Sequence, residues 1–140
     1  MAVRTARFRD MRSLEDIRAA LERCYARFEG LCADLTAADW RAQSLCPDWN
    51  MHEVVQHVTS IEAVMAGWLP EDDHTPPPFE KAAAFLEGTD DPAVLAEKVH
   101  AVYDERRRDL AALTAEDLAR PSWMPTRRGT YCRFLEIRVF

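Results

Sequence analysis

The chain has 140 residues, enough for one domain with a real core, and its 48% hydrophobic and 30% charged residues are those of an ordinary soluble globular protein. A formal net charge of -6 and a pI near 5.2 leave no surplus of cations to neutralise phosphates, which argues against a nucleic-acid partner. No apolar run is long enough to span a membrane, the basic start MAVRTARFRD lacks an apolar signal core, and Cys24, Cys32, Cys46 and Cys132 form no CxxC or zinc-like spacing, so a cytoplasmic protein with free thiols is expected.

Only four glycines among many alanines and leucines point to helices. Residues 1–12 read as a lead-in and 13–140 as one helical domain. Ser13 caps the first long helix, with Asp16 three residues on. Leu14, Ile17, Leu21, Cys24, Phe28, Leu31 and Leu35 then alternate at three and four residues, a seam for packing on neighbouring helices. Cys24 reads as a small core residue and Cys32 as its neighbour. Thr36-Ala37-Ala38-Asp39-Trp40 is a short capped turn of helix, and a loop leads on to Leu45-Cys46-Pro47-Asp48-Trp49. Trp40 and Trp49 are expected to plug one end of the bundle, or to line a ligand site.

Asn50 and Glu53 form a capping box for a second helix over Met51 to about Leu69. Its apolar stripe is Val54, Val58, Ile61, Met65 and Trp68, and His57 falls inside it. An imidazole aimed at an apolar core needs a hydrogen-bond partner, a structural role or a metal. The proline-rich acidic stretch Pro70 to Pro78 breaks the helical pattern, and its His74 reads as solvated. Phe79 to Leu86 is a short extra helix between the second and third long ones.

Asp90-Asp91-Pro92 starts the third long helix, which runs to Leu113 with a stripe of Leu95, Val99, Val102, Leu110 and Leu113. Arg106 lies in mid-stripe, so it either snorkels outward or meets a buried acid or an anionic ligand. Arg106 to Arg108 sit among Asp104, Glu105 and Asp109, a mixed-charge helix surface, and His100 lies off the stripe. The exits Leu35-Thr36-Ala37-Ala38-Asp39-Trp40 and Leu113-Thr114-Ala115-Glu116-Asp117-Leu118 form a faint repeat, consistent with two related halves or with convergent turns. Ser122 to Gly129 would then be a second connector, and Tyr131, Phe134, Leu135 and Arg138 begin a fourth helix that has no stop signal at Phe140. The fold class is therefore all-α, a four-helix bundle whose last helix is expected to be cut short. The stripes around Leu21, Val58 and Val99 should then be under-covered, and a homodimer or an oligomerising structural module is the alternative to an enzyme.

Trp40, the run Ser44-Leu45-Cys46-Pro47-Asp48-Trp49, and Val54-Val55-Gln56-His57-Val58 together resemble the N-terminal metal-binding domain of mycothiol-dependent maleylpyruvate isomerases. That domain is of the DinB-like superfamily, found largely in actinobacteria. The resemblance implies a divalent metal, zinc first, with His57 as one ligand, and mycothiol as thiol cosubstrate. The chemistry implied is isomerisation or S-transfer on a small molecule, with mycothiol rather than Cys46 bringing the sulfur. Cys46 is expected to pack. The resemblance also puts an acidic ligand three residues past Arg138 and a histidine one turn later, both beyond Phe140. Glu136 cannot stand in for that acid, being about 140° away round the helix. Arg106 and Arg138 are the candidate cofactor-binding residues.

Overall fold

A computed structural model of the chain describes residues 12–138. The lead-in expected over residues 1–12 lies, but for Arg12, outside the described residues. The described residues form a mostly helical bundle: α1 (Leu14–Asp34), α2 (Ala37–Arg41), α3 (Met51–Met65), α4 (Lys81–Leu86), α5 (Pro92–Ala112), α6 (Ala115–Leu118) and α7 (Tyr131–Glu136). Between α6 and α7 the strands β1 (Pro121–Ser122) and β2 (Gly129–Thr130) pair antiparallel, where the sequence suggested only a connector.

The helix starts are those the capping residues announce. Ser13 accepts from the Asp16 N–H and Asn50 from the Glu53 N–H, each answered by the acid in a capping box, while Asp91 precedes a proline at the first position of α5. α3 stops at Met65, four residues before the expected Leu69, because Gly67 takes a left-handed backbone (φ 71°). The Trp68 N–H then returns to the Met65 carbonyl at 3.0 Å, and Trp68 leaves the helix.

Side chains from neighbours close the exposed helix ends. Arg18 of α1 donates to the Leu110, Ala111 and Leu113 carbonyls at the end of α5, satisfying acceptors that the helix leaves over and placing a cation at its negative pole. Lys98 does the same for the carbonyls of Phe85 and Glu87 at the end of α4. These bonds lock α1 on α5 and α4 on α5.

The core joins Ile17, Leu21 and Tyr25 of α1, Val55, Val64 and Met65 of α3, Leu95, Val99 and Tyr103 of α5, and Tyr131, Phe134 and Leu135 of α7. Tyr103 meets Tyr25 and Phe28 at ring distances of 5.0 and 5.5 Å. The under-covering expected around Leu21 and Val99 is absent: they are 3% and 2% exposed, and only Val58 of the three is half-buried. The α1 seam is shorter than the sequence pattern. It is well covered at Ile17 and Leu21, but Cys24 and Leu31 are exposed, so Cys24 is not the core residue expected.

The faint repeat is a repeat of local structure. Thr36 with Asp39 and Thr114 with Asp117 form equivalent capping boxes on α2 and α6. Six residues after each threonine a carbonyl, Ala42 or Arg120, accepts from the first N–H of the next helix, Met51 or Tyr131. An antiparallel pairing follows each time, Gln43 with Asn50 and Pro121 with Thr130. In both halves the pairing delivers a polar N-cap residue, Asn50 or Thr130, to the helix it starts.

Candidate functional site

The buried line of α3 is not the most apolar one. Val55, Thr59, Glu62 and Val64 face inward together with Met65 of the expected stripe, whereas Val54, Val58, Ile61 and Trp68 are half-buried. The buried face thus takes in the positions one residue, or about 100°, round from much of the expected stripe. His57 consequently is exposed instead of pointing into the core. Its imidazole rests against the Trp49 indole, with ring centroids 4.8 Å apart and planes tilted by 47°. Trp49 is itself 37% exposed, so it does not plug the bundle; Trp40 is half-buried, edge-on to His52 at 5.8 Å. Cys46 is exposed in the same loop as Trp49, where packing was expected.

The reason for the shift is Glu62. Its side chain is 7% exposed, and four groups converge around its carboxylate and that of Asp109. Arg106 Nε donates to Glu62 Oε2 at 3.2 Å, the Tyr25 hydroxyl donates to the same oxygen at 3.2 Å, and Arg138 donates to Oε1. Arg106 Nη1 donates to the Met65 carbonyl and to Asp109 Oδ2, each at 3.0 Å. Asp109 in turn accepts from the Gly67 N–H at 2.9 Å, tying the end of α3 into the cluster. A buried charge needs such partners, because removal from water costs several kcal/mol that Coulomb attraction and hydrogen bonds must return.

Arg106 is therefore the residue that meets a buried acid; it does not snorkel. Its side chain is 3% exposed and its donors lie on Glu62, Met65 and Asp109, which leaves it no surface to offer a cofactor. Arg138 is 27% exposed and also held by Glu62, so the two candidate arginines are brought together on one carboxylate. His57 is not part of that cluster. The neighbouring charges act on the buried tyrosines. Burial first, and then the Glu62 charge, push the Tyr25 and Tyr103 hydroxyls well above the usual phenol range; burial raises Tyr131 against the lowering effect of Arg106.

Glu62 is not among the site residues expected from the sequence, although the sequence carries a signal for it. An arginine in an apolar stripe calls for an acid on a facing helix, and apart from the capping Glu53, Glu62 is the acid that α3 carries. The order of contacts shows how the chain end approaches. Tyr131 and Phe134 meet Trp68 at 5.9 and 5.4 Å, whereas Arg138 reaches back to Glu62. Rising residue numbers from Tyr131 to Arg138 thus meet falling numbers from Trp68 to Glu62, and Glu62 lies five residues past His57.

Among the described residues, no group of three His, Cys, Asp or Glu side chains stands together as a metal site. His57 is a lone donor there, so the described residues do not by themselves fit a zinc ion, which normally takes three protein ligands in a catalytic site and four in a structural one. His52 is committed elsewhere, with Nε2 2.7 Å from the Thr89 carbonyl. His74 is 69% exposed beside Asp72 and Asp73, and His100 is 70% exposed beside Glu29, both on the surface as expected.

No helix among the described residues is long and apolar enough to cross a membrane. No curated protein and no solved structure matches the chain. A family model does, over residues 21–139: the mycothiol maleylpyruvate isomerase N-terminal domain. That span takes in the Trp49–His57 contact, the Glu62 cluster and α7, and the chain belongs to the mycothiol maleylpyruvate isomerase N-terminal domain family.

Proposed function

We propose that this chain is the metal-binding domain of a thiol-dependent isomerase or S-transferase, with His57 as one ligand of a divalent ion, zinc first among the candidates. The observation that carries the reading is the exposed imidazole of His57 in a family whose name specifies mycothiol. Its ring has no hydrogen-bond partner among the described residues, and an unengaged imidazole is available as a neutral nitrogen ligand. The order of contacts supports this reading: Tyr131 and Phe134 meet Trp68 and Arg138 meets Glu62, so the described run from Tyr131 to Arg138 heads toward the His57 side of α3.

A divalent ion held in part by His57 would supply Lewis acidity, which favours the deprotonated form of a thiol or water bound to it. The residues of this chain supply the frame. Glu62, Arg106 and Tyr25 hold α1, α3 and α5 together, and Arg138 brings the end of α7 to the same carboxylate. Arg138, partly exposed, is the cofactor-binding candidate that remains, for the anionic part of a low-molecular-weight thiol; Arg106 acts as a positioning residue. Calorimetric titration with mycothiol, with and without Zn2+, tests the coupling of thiol and metal. Binding should be tighter with Zn2+, and His57→Ala should lose that gain. Equal binding with and without the metal overturns it.

A further inference from the structure

The loop between α2 and α3 is held firmly although its side chains face water. Gln43 Nε2 lies 3.2, 2.8, 3.2 and 3.0 Å from the carbonyl oxygens of Ser44, Cys46, Pro47 and Trp49. Two amide protons are thus shared among four acceptors. Ser44 adds its N–H at 3.1 Å and its hydroxyl at 2.6 Å to the Trp49 carbonyl, so three groups donate to that one oxygen. The backbone of Trp49 is fixed from inside the loop, and its indole leans on the His57 imidazole at 4.8 Å. Nothing in the apolar core requires this arrangement: Leu45 is fully exposed, and Cys46, Pro47 and Asp48 are exposed as well.

We infer that Gln43 is a positioning residue for His57, gathering the loop carbonyls so that the Trp49 indole covers one side of the imidazole and narrows the directions from which a ligand reaches its nitrogens. The functional consequence rests on the reading of His57 as a ligand; the positioning itself does not. The chemistry specifies a donor. A glutamate of the same shape would set a carboxylate against four carbonyls, and a methionine of the same length would donate nothing.

The experiment is proton NMR of the whole metal-free chain, reading the ring-current displacement of the His57 ring protons, with Trp49→Leu as the reference for its complete loss. Gln43→Glu and Gln43→Met should each lose the displacement although Trp49 is present, while circular dichroism shows unchanged helix content. A displacement that persists in both variants overturns the assignment, as does wild type indistinguishable from Trp49→Leu. A chain that shows the expected pattern yet gains no thiol affinity from Zn2+ would sink the metal reading and leave the positioning role intact.

Discussion

Glu62 and Arg106 face each other across α3 and α5 at 3.2 Å, with side chains 7% and 3% exposed. Tyr25 adds α1 and Arg138 adds the end of α7, so one carboxylate links the four parts of the bundle. Removing one member of a buried pair leaves the other charge uncompensated, at a typical cost of about 3–5 kcal/mol. Asp109 still faces Arg106, so Glu62→Ala should fall at the low end, about 3 kcal/mol in denaturant unfolding. Replacing the pair together, Glu62→Leu with Arg106→Met, should recover part of that loss, since Tyr25, Arg138 and Asp109 each lose a partner. A single variant costing less than about 1 kcal/mol, the range of a surface pair, would contradict the role given to Glu62.

The same line of α3 holds a second polar group, and this one lacks compensation. Thr59 is fully buried, and its hydroxyl has no partner among the described residues. Thr59→Val keeps the shape and removes the unsatisfied group, so it should stabilise the chain by about 1 kcal/mol. Destabilisation of similar size in thermal or denaturant unfolding would mean that the hydroxyl is bonded.

These two residues mark how far the sequence could be read. The helices, their caps and the paired exits at Thr36 and Thr114 were legible because they depend on neighbours within a few positions. The family resemblance was legible from the Ser44–Trp49 run and His57. The face that α3 buries was not, because periodicity ranks residues by hydrophobicity and here Thr59 and Glu62 displace Val58 and Ile61 from the interior. Arg106 announced an acid, but only the packing of α3 on α5 identified it as Glu62. The exposure of Cys24 and Cys46 had no local signal, since a cysteine fits a core position or a surface one equally well.

All three tyrosines are buried and hold their protons more tightly than in the unfolded chain. Their contribution is fully present below the unfolded value of about 10 and is lost as pH rises above it, because only the unfolded state then releases the protons. Each tyrosine adds a slope of about 1.4 kcal/mol per pH unit, roughly 4 for the three together. Tyrosinate absorbance should therefore appear together with loss of helix, in one cooperative transition above pH 10. Tyrosinate formation near pH 10 with helix content intact would contradict this.

The four free thiols should divide by exposure. Cys24 and Cys46 are exposed, Cys32 is half-buried with its thiol pushed up to about 11 by burial and by Glu29, and Cys132 is buried with its thiol raised by burial. An aromatic disulfide reagent at neutral pH should modify two thiols quickly and the other two only on unfolding. Mapping by mass spectrometry should place the fast pair at Cys24 and Cys46; fast modification of Cys132 would contradict the packing of α7.

Equilibrium dialysis against Zn2+, with metal analysis of wild type and His57→Ala, tests whether His57 is a metal ligand. With mycothiol in the buffer to add a thiolate to the lone imidazole, wild type should retain zinc that His57→Ala does not, both proteins giving the same cooperative melt. Wild type retaining no zinc, or both retaining the same amount, would contradict it.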